Sequence, residues 1–183
     1  MRRSLRPHRD SPSSAATHIE VDVARSHAGS LALRYVVTGK IGDLRLRAAT
    51  AATRADELWR HTCFEAFVGA SAGGPYYEFN FAPSAQWAAY RFDGYRRGMR
   101  VATEIGAPRI EMQSSADRCT LQALLDLDRS VGLSRDAAWH LGLSAVIEDV
   151  GGRISYWALA HPPGKADFHH SDCFTCELEA EGL

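Results

Sequence analysis

Glu65, Glu78, Asn80, Trp87 and Arg91 all fall within 58–92, which reads LWRHTCFEAFVG, a Gly-rich turn, then YYEFNFAPSAQWAAYRF. Two chemistries suit these residue types. Carboxylate, amide and guanidinium groups make planar, bidentate hydrogen bonds to hydroxyl-rich ligands, and an indole ring offers a platform for the C–H side of a sugar ring. Alternatively, Glu65 and Glu78 are an acid/base pair of the kind glycosidases use. Charged residues in mid-strand are disfavoured unless their face is wet or bound to something. A blander account is a solvent-exposed face whose charges pair across strands, and alternation alone leans toward it.

The face argument rests on period two. Tyr77, Phe79 and Phe81 share one side; Tyr76, Glu78 and Asn80 share the other. His61, Cys63, Glu65 and Phe67 alternate with Thr62, Phe64, Ala66 and Val68, and Trp87, Ala89 and Arg91 alternate with Ala88, Tyr90 and Phe92. If Glu65, Glu78, Asn80 and Arg91 lie side by side, Arg91 is a donor fork between two carboxylates, with Trp87 nearby.

The elements that must hold these residues are extended. Strands are predicted over 17–23, 30–39, 43–48, 62–69, 76–82, 85–92, 109–115, 119–127, 138–149, 153–161 and 173–180, joined by turn signals such as AGGP at 72–75 and VGG at 150–152. Helical turns are expected only near 49–59, with Thr53 as a cap, and near 134–138; 93–108 reads as a loop. This pattern predicts an all-β sandwich or barrel of about ten antiparallel strands. Residues 17–183 form one domain, and the basic, Ser/Pro-rich 1–16 reads as a flexible tail.

A second concentration of polar groups lies in HPPGKADFHH, which carries His161, Asp167, Phe168, His169 and His170. Three histidines beside Cys173 and Cys176 admit a metal site, although the spacing is no standard zinc pattern. Histidines that cap backbone groups or line a pocket are the blander account. Cys63 and Cys119 read as small core residues. The chain has no Gly-x-Ser-x-Gly elbow, His-Glu-x-x-His, phosphate loop or dinucleotide fingerprint.

Composition narrows the classes further. The 183 residues are 45% hydrophobic and 23% charged with a net charge of −1, which is globular and argues against a nucleic-acid footprint. No apolar run spans a membrane and no secretory leader is visible, so a cytoplasmic protein without membrane contact is expected. An exposed sheet edge or polar face leaves a homodimer open.

LWRHTCFEAFVG with YYEFNFAPSAQWAAYRFDGYR, and later GRISYWALAHPPGKADFHHSDCF, resembles the DOMON-like proteins of bacteria, relatives of family-nine carbohydrate-binding modules and of DOMON haem- and sugar-binding domains. The likeness covers 17–180. It implies an immunoglobulin-like or jelly-roll β-sandwich that binds a saccharide or sugar-like small molecule without catalysis. Trp59 precedes Glu65 by six residues as in the carbohydrate-binding relatives, which implies Trp59 as one wall of a sugar clamp and Trp157 as the other. Arg91 takes the role of polar reader, and His61, His161, His169 and His170 are placed at the rim. No cofactor is expected. A structural metal ion is the lesser alternative, as is haem, with Met99 in the region of an axial ligand but no partner histidine assigned.

Overall fold

Alternating apolar and polar residues, punctuated by Gly and Pro, produce twelve strands and no α-helix among the described residues of the computed structural model, which are 1–26 and 29–180. The expected β-sandwich is observed. One sheet runs β8 (Arg109–Ser114), β9 (Arg118–Asp126), β3 (Ser30–Gly39), β2 (Ala16–Arg25) and β1 (Arg2–Pro7). The other runs β7 (Arg100–Val101), β6 (Trp87–Phe92), β5 (Tyr76–Phe81), β4 (Cys63–Gly69), β10 (Trp139–Glu148) and β11 (Ile154–Ala158). β12 (Cys176–Leu178) pairs with the start of β10, and every pairing is antiparallel.

The N-terminal residues expected as a tail are instead the seam between the sheets. Arg2 to Leu5 pair with β2, whereas Arg6 and Pro7 pair with β11. Leu5 is buried in the core, and the terminal ammonium donates to the Val23 carbonyl at 2.7 Å. RRSLRP has one apolar residue, so its own pattern carries no strand signal; two waiting strand edges supply it.

Other expectations shift for similar reasons. Residues 43–48 form no strand: a 3-10 turn at Ile41–Asp43 leads to one bridge, Leu44 to Asp149. The helix expected near 49–59 reduces to a 3-10 turn at Leu58–Arg60. Before it the chain stays extended, because Ala55 donates to the Trp87 carbonyl and the Arg54 guanidinium donates to the carbonyls of Ala89, Ala102 and Ile105. The turn at 134–138 is not helical; there the Ser134 carbonyl accepts from Trp139 Nε1.

Between the sheets, Val21, Val23, Leu31, Leu33, Val37, Leu121 and Leu125 meet Phe64, Val68, Tyr77, Phe79, Phe81, Leu143 and Trp157. The sandwich has a second core outside this one. Cys63, Phe67, Tyr76, Tyr90, Phe92, Val146 and Phe174 cluster on the outer face of the second sheet, with Trp59, Tyr156 and Phe168 against them. Every residue of β4 and β5 is therefore buried, unlike a sandwich sheet with one wet face. The polar side of these strands, expected from the sequence to face water or a ligand, is covered by residues 159–175.

A direct check on the seam is Leu5→Ala. Removing a buried leucine side chain costs about 2–4 kcal/mol, so the variant's Tm in calorimetry should fall by several degrees. An unchanged Tm would return 1–7 to a tail.

Candidate functional site

Beneath that cover lies a cavity of about 380 Å³ on the outer face of the second sheet. β4 contributes Glu65 and Phe67, β5 Glu78, β6 Phe92, β10 Val146 and β11 Tyr156. Trp59 enters from the 3-10 turn, Arg96 and Met99 from the connection after β6, and Ala166, Phe168 and His169 from the covering segment. The floor is polar and the walls are aromatic.

Each floor group has an assignable environment. Glu65 is 2% exposed; one oxygen, Oε2, accepts from the Ser144 hydroxyl at 2.9 Å, and Oε1 has no protein partner. The Tyr35 hydroxyl reaches across the main core to the Glu65 carbonyl at 2.6 Å, which ties the floor to the opposite sheet. Glu78 is 5% exposed, and its Oε1 accepts from Asn80 Nδ2 at 2.8 Å. Asn80 Oδ1 in turn accepts from the Cys63 thiol at 3.6 Å. Asn80 thus lies behind the floor and orients Glu78.

The rim is a tied network. Arg96 donates to Asp167 Oδ1 at 2.8 Å and Tyr95 to Asp167 Oδ2 at 2.5 Å. Arg96 has a left-handed backbone (φ 51°), uncommon without glycine, and its N–H donates to the Tyr76 hydroxyl at 3.3 Å. That hydroxyl lies 2.7 Å from His169 Nδ1. The arrangement that satisfies all three puts the imidazole proton on Nε2, facing Glu78 Oε2 at 3.7 Å.

Of the residues expected at the site, the structure brings together Trp59, Glu65, Glu78 and His169, with Asn80 behind them. Arg91 and Trp87 are on the wrong side of the sheet. Arg91 pairs with Tyr77 and Trp87 with Phe81, so both share the inner face; Trp87 is buried in the main core, with Arg54 stacked 4.1 Å over its ring. Trp157 is also a core residue, donating to Ser155 Oγ at 3.1 Å, and its neighbour Tyr156 occupies the wall instead. His61 shares the outer face but bonds Glu148 Oε2 at 2.8 Å in a separate polar hollow with Thr62 and Ser84. His161 bonds the Arg6 carbonyl at 2.8 Å, and His170 Nδ1 caps the Asp172 amide. Both serve the covering segment.

Sequence reasoning missed Phe67, Phe92, Arg96, Tyr156 and Phe168 as site residues. Arg96 lay in a stretch read only as a polar loop. The available signal was the run Tyr95, Arg96 and Arg97 between Gly94 and Gly98, where two arginines crowd a tight turn.

Burial dominates the electrostatics. Glu65 is pushed well above the usual carboxylate range by desolvation first and then by Glu78, with Ser144 opposing. Glu78 is also raised by desolvation, against the pull of Asn80 and Arg96. His169 is lowered to about 4, again chiefly by desolvation, so its imidazole is neutral. Both carboxyls move in the same direction. A glycosidase-type pair needs environments that drive the two apart, and burial here raises both.

The residues do not fit a metal or haem either. Among the described residues no group of three or more His, Cys, Asp and Glu is placed to hold a metal. The Cys173 thiol donates to the carbonyls of Ala160 and Asp167, both at 3.2 Å, while Cys176 lies in the main core. Met99 and His169 line the same cavity; Nδ1 of the imidazole is engaged by Tyr76, and Nε2 faces Glu78 Oε2 at 3.7 Å.

No protein-family model matches the chain, and no curated protein matches it. Solved structures do. A "putative carbohydrate-binding protein" from Bacteroides uniformis ATCC 8492 superimposes with a TM-score of 0.68 at 14% identity, over 95% of this chain and 84% of that one. A family 9 carbohydrate binding module (CBM9) from Caldicellulosiruptor kristjanssonii in complex with cellotriose gives 0.55 at 13% identity, over 98% and 83%. The module in complex with glucose gives 0.54 at 14%, over 98% and 85%. The chain shares their fold.

The raised carboxyl has a measurable consequence. Above pH 4.5 an unfolded Glu65 releases its proton while the folded one holds it, so the group costs stability increasingly as pH rises. Glu65→Gln keeps the acceptor for Ser144 and removes that cost. The variant should melt above wild type at pH 8 by several degrees, with the gap closing toward pH 4.5; a gap that does not depend on pH would contradict a buried, protonated Glu65.

Proposed function

We propose that this domain is a non-catalytic carbohydrate-binding module, related to the family-nine modules and the DOMON-like proteins, whose ligand is a saccharide or sugar-like small molecule held in the outer-face cavity. The observation that carries this reading is the pairing of desolvated planar polar groups with aromatic walls in one cavity. Glu65 and Glu78 orient hydroxyl or amino groups, and Trp59, Tyr156 and Phe168 supply apolar surface for a ring. The volume falls near the low end of the range of about 300–1,000 Å³ for small-molecule sites, which suits one or two sugar rings. The shared fold with modules solved in complex with cellotriose and glucose supports the same ligand class.

In this reading the clamp differs from a pair of tryptophans. Trp59 keeps its spacing to Glu65, and Tyr156 with Phe168 replaces the second indole. Phe168 meets Tyr156 edge to face at 6.1 Å, so the second wall is an aromatic pair. Arg96 takes the place of the polar reader, which the resemblance implied for Arg91.

A panel of neutral, acidic and amino sugars in thermal-shift and titration calorimetry tests the reading, since a ligand of the native state raises Tm. Trp59→Ala should weaken the best binder about tenfold, a loss of about 1.4 kcal/mol. Arg91→Ala, on the opposite face, should leave affinity unchanged. Absence of any saccharide binding, or equal affinity in Trp59→Ala, would overturn it.

A further inference from the structure

Within the saccharide-binding reading, on which this step rests, the charges facing the cavity do not balance. Two carboxyl groups come from the sheet, Glu65 and Glu78. The facing cation is Arg96, and its guanidinium is already bonded to Asp167, whose second oxygen takes Tyr95. The other basic side chain, His169, is held neutral by burial. The remaining wall groups, Trp59, Phe67, Phe92, Met99, Tyr156 and Phe168, bring no charge.

The unsatisfied atoms are specific. Glu65 is 2% exposed and lines the cavity, and its Oε1 has no protein donor. Glu78 Oε2 has only His169 Nε2 at 3.7 Å, beyond hydrogen-bond length. Both oxygens belong to carboxyls that are almost wholly buried and open onto the cavity, so a ligand there meets them as acceptors. The partner both oxygens lack is a donor, and one with positive charge offsets their desolvation as well.

We propose that the cavity selects a saccharide bearing a free basic amino group, whose ammonium docks against Glu65 and Glu78, over neutral or N-acylated counterparts. An ammonium has three donors and no acceptor, enough for both open oxygens. The aromatic walls add a cation–π contribution. No covalent bond changes: the ammonium keeps its protons, and the protons held by the carboxyls pass to the buffer as the pair ionises. An N-acetyl group removes the charge and adds bulk at the position where the ammonium would dock. A neutral sugar offers hydroxyl donors but leaves the carboxyls protonated.

Titration calorimetry at pH 7 with glucosamine, glucose and N-acetylglucosamine, each in two buffers of different ionisation enthalpy, decides it. Glucosamine should bind at least tenfold tighter than glucose, N-acetylglucosamine should bind weakest, and only glucosamine should show a heat that differs between buffers. Glu65→Gln should bring glucosamine to within about threefold of glucose, both measured on that variant; Glu78→Gln gives an independent second variant, each checked for folding by its melting curve. Glucose or N-acetylglucosamine binding as tightly as glucosamine would overturn amino selectivity and leave the saccharide reading standing. Failure of all three sugars would overturn both.

Discussion

Desolvation of Glu65 and Glu78 governs the architecture around the cavity. A carboxylate taken out of water is costly unless it is hydrogen-bonded or neutralised, and the fold applies both remedies. Ser144 and Asn80 satisfy one oxygen of each carboxyl, and burial raises both groups so that protonation lowers the remaining cost. The same dryness keeps His169 neutral. A site built this way is held ready for a donor, since the groups that a ligand would otherwise have to strip of water are already dry.

The dryness depends on the covering segment, and the cover depends on the N-terminal strand. His161 Nε2 meets the Arg6 carbonyl at 2.8 Å, and His8 Nε2 meets the Gly164 carbonyl at 3.0 Å. The Cys173 thiol closes the other end of the segment on the carbonyls of Ala160 and Asp167. Phe168 and His169 are thereby held over the sheet. A strand that first joins two sheets also anchors the lid of the cavity, so packing at the seam and geometry at the site are one mechanical problem.

Strand alternation made much of this legible. It placed Glu65, Glu78 and Asn80 correctly, because within a strand period two is fixed by the backbone. Parity between strands is another matter: it depends on the connection. β5 and β6 pair with Phe81 opposite Trp87 across five intervening residues, which puts Trp87 and Arg91 on the side of Tyr77 and Phe79. A connection one residue different would have turned them outward. The positive φ of Ala85 belongs to that connection, and nothing in APSAQ announces it. Trp157 failed likewise, paired with Ala145 on the core side. The covering segment was legible as a His-rich loop but not as a roof, because its contacts with β1 join residues some 155 positions apart.

Carbon-13 NMR of glutamate-labelled protein, titrated across pH, reads the two carboxyls directly. Two side-chain resonances, identified by their loss in Glu65→Gln and Glu78→Gln, should titrate well above the remaining glutamates and shift when a saccharide is added. Titration of both together with the surface glutamates, and indifference to sugar, would contradict a dry binding floor.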